Sequence, residues 1–348
     1  MKRDTVLRTQ AVCSAAIGAV LIGMAAAPSA TAQSVEQFYK GKTVTVAIGS
    51  GSGGSHDLNA HILGRHIGKY IPGNPRVVVQ NMPGAGSLTL ANYLFEVAPK
   101  DGTYFGGLQR AAVFEELYTG RLEVRFEPLK MNWLGGPDTI SSVAISWHTV
   151  PVKKAEDLLN RELIVGASGG TTETIPRLMN AIAGFKFKVI PGYKSGGDVD
   201  LAIERGEVEG RAATAWGGMK GRNSDWLEQK KVNLLFQTGF ERHPELKDVP
   251  LALEFAKTAD DRKVAELFFA AEDIGYPYLA PPGVPADRLA AIRNAFEQAY
   301  KDPELIAEAK KGGLDINPVT WQRMTKVITD SYASPENVRQ RLRTLVAP

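Results

Sequence analysis

Apolar residues in this chain gather in short dense runs, and most of those runs end in glycine, serine or threonine. The run at 44–48 is nearly continuous, with Val44 and Val46 β-branched. That pattern predicts a strand buried on both faces of a parallel sheet. Four glycines and three serines then fill positions 49–55. Ser55 or Asp57 is placed to cap a following helix whose apolar stripe is Leu58, Ile62 and Ile67. A second strand at 76–79 leads into Gln80, Asn81 and the Pro83-Gly84-Ala85-Gly86 turn, with Ser87 positioned to cap a helix through Val97. A third strand, 104–108, ends at Gln109 and Arg110.

Residues 133–147 read as a changeover, broken at Gly135, Gly136 and Pro137, with a strand at 140–147 crossing to a second unit. There the opening pattern returns. A strand at 163–165 runs into Gly166-Ala167-Ser168-Gly169-Gly170-Thr171-Thr172, then a helix over 173–183 in which Pro176 is tolerable only in the first turn. A strand at 187–190 leads to another loop, Ser195-Gly196-Gly197-Asp198, and a helix at 199–205. Strands follow from Val208 toward Thr214 and Trp216, and at 232–236. Residues 276–280 read as a return crossing, with helices at 285–300, 303–311 and from Ser334 onward.

Strands that deliver glycine-rich loops from their carboxyl ends suit a ligand site, because open α/β sheets bind there. Glycine lets the backbone approach a ligand, and the unpaired N–H groups of a helix start attract anions. Neither loop carries Lys or Arg at its tip. Anion capture would therefore rest on N–H groups, hydroxyls and helix dipoles, with Asp57 and Glu173 bracing the loops. Arg110 is a candidate carboxylate partner, and Trp216 and Tyr193 flank the loops as ligand contacts or core residues. Arg211, within a strand, suits a structural ion pair.

Three sharper motifs give way. Gly49-Ser50-Gly51-Ser52-Gly53-Gly54 matches G-x-G-x-x-G, but the second strand ends in Gln80 and Asn81 where ribose recognition needs an acid. Gly166-Ala167-Ser168-Gly169-Gly170 resembles a hydrolase elbow, and a serine hydrolase using Ser168 is the rival reading. Its only downstream histidine, His243, sits in a polar segment. His56, His61 and His66 recur every five residues, about 140° apart on a helix, and cannot share a metal. No cofactor is expected.

Composition sets the address. Lys2, Arg3 and Arg8 precede an apolar, small-residue run at 11–27 and the Ala30-Thr31-Ala32 site, so residues 1–32 read as a secretory leader cleaved before Gln33. Cys13, the only cysteine, leaves with it, which excludes disulfides and cysteine metal sites. The formal charge of +3 loses a net +2 with Lys2, Arg3, Asp4 and Arg8, leaving +1. That is no field for nucleic acid or membrane.

The ordered set of motifs resembles a known family. It comprises the 44–57 strand, loop and Asp57, Asn81-x-Pro83-Gly84-Ala85-Gly86, the Ala98-Pro99-x-Asp101-Gly102 turn, Ser168-Gly169-Gly170-Thr171, Tyr193-Lys194-x-Gly196-Gly197, Gly206-x-Val208-Glu209 and Ala280-Pro281-Pro282-Gly283. It is similar to the periplasmic receptors of tripartite tricarboxylate transporters, the Bug or TctC-like solute-binding proteins. The resemblance implies an α/β, two-lobed periplasmic-binding-protein type II fold with a ligand cleft between lobes, here 33–141 with 271–348, and 142–270. It implies a non-enzymatic, monomeric receptor that delivers a small organic carboxylate to the membrane subunits of such a transporter. Carried over by position, the contacts are Ser50, Gly51, Ser52, Gly53, Gly54, Ser55 and Asp57, then Ser168, Gly169, Gly170, Thr171 and Thr172, then Ser195, Gly196 and Asp198. Two departures bear on ligand size and shape: Gly49-Ser50 replaces a proline and an aromatic, and Glu209-Gly210-Arg211-Ala212 replaces an apolar strand end.

Overall fold

In a computed structural model, which describes residues 33–120, 124–168, 170–193 and 195–346, the apolar runs become strands of two separate sheets. The leader expected at 1–32 lies outside the described residues, as do Gly169 and Lys194. The strands are β1 (Thr43–Ile48), β2 (Arg76–Asn81), β3 (Tyr104–Gly107), β4 (Asn132–Gly136), β5 (Ser142–Trp147), β6 (Leu163–Gly166), β7 (Phe187–Ile190), β8 (Gly210–Ala215), β9 (Val232–Gln237), β10 (Tyr278–Ala280) and β11 (Val319–Thr320).

The first sheet has the order β11-β4-β10-β3-β1-β2 and the second β7-β6-β8-β5-β9. In each, three strands run parallel, and the strand from the other half of the chain (β10 or β5) enters antiparallel beside the third. Both sheets thus repeat one plan, a first strand flanked by the second and third and then by an inserted crossing strand. Since the first three strands of each sheet are parallel, their carboxyl-end loops gather on one edge.

The chain passes from β4 to β5 through residues 137–141 and returns after a long helix. The helices that matter for the site are α1 (Ser55–His66), α2 (Leu88–Glu96), α3 (Thr171–Ala183), α4 (Gly196–Glu204) and α5 (Ala259–Ile274). Residues 267–274 of α5 are buried. They belong to one continuous cluster running from Leu90 and Trp133 on the first sheet's side to Val165 and Phe236 on the second's. The lobe boundary expected at 270–271 falls inside α5. The two crossings are laced together: the Ile140 amide donates to the Glu272 carbonyl at 2.9 Å. A Cβ at Gly275 would sit 1.8 Å from the Asp138 carbonyl oxygen.

Several local expectations are revised. Gly135 and Gly136 do not break the chain but lie inside β4. There a Cβ at Gly135 would meet the Val319 carbonyl at 2.6 Å, so the glycine admits the β11 backbone. Pro176 falls in the second turn, since α3 begins at Thr171, at the cost of one intrahelical hydrogen bond. Neither Ser55 nor Ser87 caps its helix through its side chain. Helix α1 starts after Gly54, and Asp57 reaches back to accept from the Gly53 amide at 2.9 Å. Ser87 is fully buried with a left-handed backbone, φ 83°. Its hydroxyl donates to the Gly49 carbonyl at 2.8 Å and accepts from the Gln109 amide at 3.0 Å. It therefore ties the first glycine loop to the end of β3.

Candidate functional site

Two adjacent cavities open along the carboxyl-end edges. The first, about 540 Å³, is lined by Ser50, Gly51, Gly54 and Ser55 from the loop after β1, and by Ser168, Gly170 and Thr171 from the loop after β6. The two loops read as a pair in the sequence thus face one space. Gln109, Arg110, Ala111, His56 and Tyr276 complete it. The second cavity, about 570 Å³, shares Ser55 and Tyr276 with the first. It is lined on the other side by Ser195, Gly196, Arg211, Thr214 and Trp216, and by the crossing residues 137–141.

The loop serines and glycines present small groups and backbone to the first cavity. The Ser50 hydroxyl oxygen is buried there without a hydrogen-bond partner, a costly state for a polar atom unless something fills the cavity. Ser52, Gly53, Asp57, Thr172 and Asp198 line neither cavity. Asp57 is 6% exposed and braces the loop: its carboxylate accepts from Asn81 Nδ2 at 2.7 Å and from the Gly53 amide. Burial pushes that carboxyl up, but these hydrogen bonds more than offset it and hold it below the usual range. The Thr172 hydroxyl accepts from the Ser168 amide at 3.0 Å, and Asp198 accepts from the Ser195 hydroxyl at 2.9 Å. These three residues shape the loops from behind.

Arg110 is not the free cation expected from its position. Its Nε and Nη2 donate to Glu272 Oε1 at 3.2 and 3.0 Å. Glu272, 2% exposed, also accepts from the Ser142 hydroxyl at 3.1 Å through its other oxygen. The charge of Arg110 is compensated inside the fold, 162 residues away in sequence. The Trp216 indole is likewise engaged, donating to Glu245 at 2.6 Å. It can offer a ligand ring surface but no donor.

Three residues of these cavities were not singled out as ligand-binding in the sequence. His56 is 5% exposed, with neither ring nitrogen hydrogen-bonded. It stacks on Tyr276 at a ring separation of 5.1 Å, and burial, opposed by Asp57, lowers its pKa to about 4. Asp138 is pushed up to about 8 by burial and by the Asp315 carboxylate. Arg211, legible only as a structural ion pair, makes that pair with Asp200 at 2.7 Å and also borders the second cavity. Only the run of polar residues around 138–141 and the lone arginine in an apolar strand hinted at these positions.

His66, Asp302 and Glu304 bring three possible metal ligands together. Lys69 Nζ already stands 2.6 Å from Asp302 and 3.0 Å from Glu304, so the cluster holds its own cation. No hydrogen bond joins Ser168 to a histidine among the described residues. His243 lines the other cavity, where its Nδ1 accepts from the Glu245 amide.

Comparison with solved structures defines the class. No family model matches the chain, and no curated relative matches it. The fold is that of a two-lobed periplasmic binding protein. A TctC solute-binding protein from Polaromonas, solved without ligand, matches with TM-score 0.66 and 14% identity over 88% of this chain and 99% of that one. The periplasmic binding protein BugD matches with TM-score 0.60 and 16% identity over 88% and 98%. An R. palustris protein solved with adipate matches with TM-score 0.61 and 18% identity over 86% and 97%. The resemblance to TctC and Bug proteins read from the motifs is therefore present in the fold as well. Among the described residues no helix is long and apolar enough to cross a membrane.

Proposed function

We propose that the chain is an exported, periplasmic, non-enzymatic receptor of the TctC and Bug type. It captures a small organic carboxylate between two lobes, 33–141 with 271–348 and 142–270, and acts as a monomer. It then presents the ligand to the membrane subunits of a tripartite tricarboxylate-type transporter. The observation that carries this reading is the cavity walled by both glycine loops, with the buried, unpartnered Ser50 hydroxyl in it. Backbone N–H groups at the starts of α1 and α3 suit a carboxylate, and such fixed donors lose little entropy on binding. A neighbour of the same fold was solved with adipate.

A thermal-shift screen over organic acids tests the reading. At about a hundredfold excess over Kd, a true ligand stabilises by about 2.7 kcal/mol and raises the melting point by several degrees. A screen in which no acid shifts the transition would refute it. An active-site serine probe should leave Ser168 unlabelled; labelling would favour the hydrolase.

A further inference from the structure

The two arginines of the cleft differ in how much of the guanidinium the protein uses. Arg110 spends its Nε and Nη2 on Glu272. Arg211 spends only Nη1, which donates to Asp200 at 2.7 Å and to the Gly196 carbonyl at 3.3 Å. Its Nε is buried with no partner, and Nη2 finds no acceptor among the described residues. The side chain is 7% exposed and lines the cavity of about 570 Å³. Gly196 roofs it: a Cβ there would lie 2.8 Å from Nη2. A buried guanidinium with an unused donor edge is costly unless an acceptor arrives.

The rest of the cavity favours a negative guest. Arg222 lines it and has no ion-pair partner among the described residues. Asp315 is held by Lys220 at 3.1 Å, which also binds Glu245 at 2.7 Å. Asp138, the other lining carboxyl, is kept largely protonated at neutral pH by burial and Asp315. Ser55 and Tyr276 border this cavity and the one between the glycine loops, so a single molecule can reach both.

We propose that Arg211 and the cavity it lines form a second anion subsite. The ligand is then a dianion with one acidic group at the loops of Ser50 and Ser168 and the other at the free edge of Arg211. This rests on the carboxylate-receptor reading above and narrows it to diacids.

The test is calorimetric titration of the whole secreted protein with succinate, adipate and suberate, each against its monomethyl ester. The ester keeps the length and one charge and removes the second. At least one diacid should bind about tenfold or more tightly than its ester, the factor that 1.4 kcal/mol represents. In the paired variant Arg211→Gln, Asp200→Asn, which leaves no buried charge unpaired, that preference should fall below about threefold with the ester's affinity little changed. Gly196→Ala, which crowds the guanidinium without touching the ion pair, should reduce the preference in the same direction. Equal binding of diacid and ester by the parent protein would overturn the subsite while leaving the receptor reading intact, and needs no variant. A preference that survives in the folded variants would overturn the role of Arg211. If no acid or ester binds, the receptor reading falls and the subsite with it.

Discussion

Glu272 offers the sharpest perturbation of the architecture. Its carboxylate is 2% exposed and holds Arg110 at 3.0 Å and the Ser142 hydroxyl at 3.1 Å. Glu272→Ala keeps a good helix former in α5 but strands the Arg110 charge, whose side chain is 18% exposed. Breaking a buried pair by removing one partner costs about 3–5 kcal/mol, because the remaining charge is desolvated without compensation. For a chain of this size that is a fall of about 10 °C in melting temperature. Adding Arg110→Met removes the stranded charge and should recover part of the loss, since the two sites share one network. Thermal and denaturant unfolding of the parent, both single variants and the double variant measure this. A loss under about 1 kcal/mol for Glu272→Ala, or a double variant no more stable than that single one, would refute the role assigned to the pair.

Three further outcomes follow from the site. Ser50→Ala should weaken carboxylate binding by about fivefold, one neutral hydrogen bond's worth, while folding stability holds or rises because an orphaned hydroxyl is removed; titration and unfolding together check it. Gly49→Ala should destabilise strongly, since its Cβ would lie 2.5 Å from Ser87 Cβ, and a melting point within a degree of the parent would contradict the brace. Stability should also respond to pH with a defined sign. Asp138, raised to about 8 from 3.8, holds a proton in the folded state that the unfolded chain has released, so stability falls as pH rises between those values, by up to about 1.4 kcal/mol per unit. His56, lowered to about 4 from 6.5, binds its proton less readily when folded, so its contribution rises with pH between those values. The two slopes oppose each other up to about 6.5, leaving a net fall from there toward 8. Asp138→Asn should abolish that fall in denaturant midpoints.

The paired loops were legible because both strands are short apolar runs ending in glycine, a local signal. The partners of Arg110 and Arg211 were less so. Asp200 lies 11 residues from Arg211, but Glu272 lies far along the chain, in a helix buried on several sides from Leu267 onward. Such a helix shows no clean amphipathic period, and α5 went unread. His56 looked like one member of an exposed histidine row. It is interior because Tyr276, from the return crossing, stacks on it. Gly135 and Gly136 read as breakers, since nothing local shows that another strand's backbone must pass against them. Ser87 stood at a helix start, where a capping role is the local expectation, but its hydroxyl serves two distant backbone groups.

Residues 137–141 both connect the two sheets and wall the larger cavity, and Gly275 seats the return crossing against the same stretch. In a molecule whose pocket and joint were built from different residues, affinity and mobility could drift independently over evolutionary time. Here they share a backbone. A substitution in this stretch that reshapes the wall for a new guest also resets the rest angle between the halves. The same free energy then appears twice, once in what the cleft accepts and once in how the halves sit with nothing in it. Changes of ligand in descendants of this chain are therefore expected to be made at the loop tips and at Arg211, with the connecting stretch left as it is.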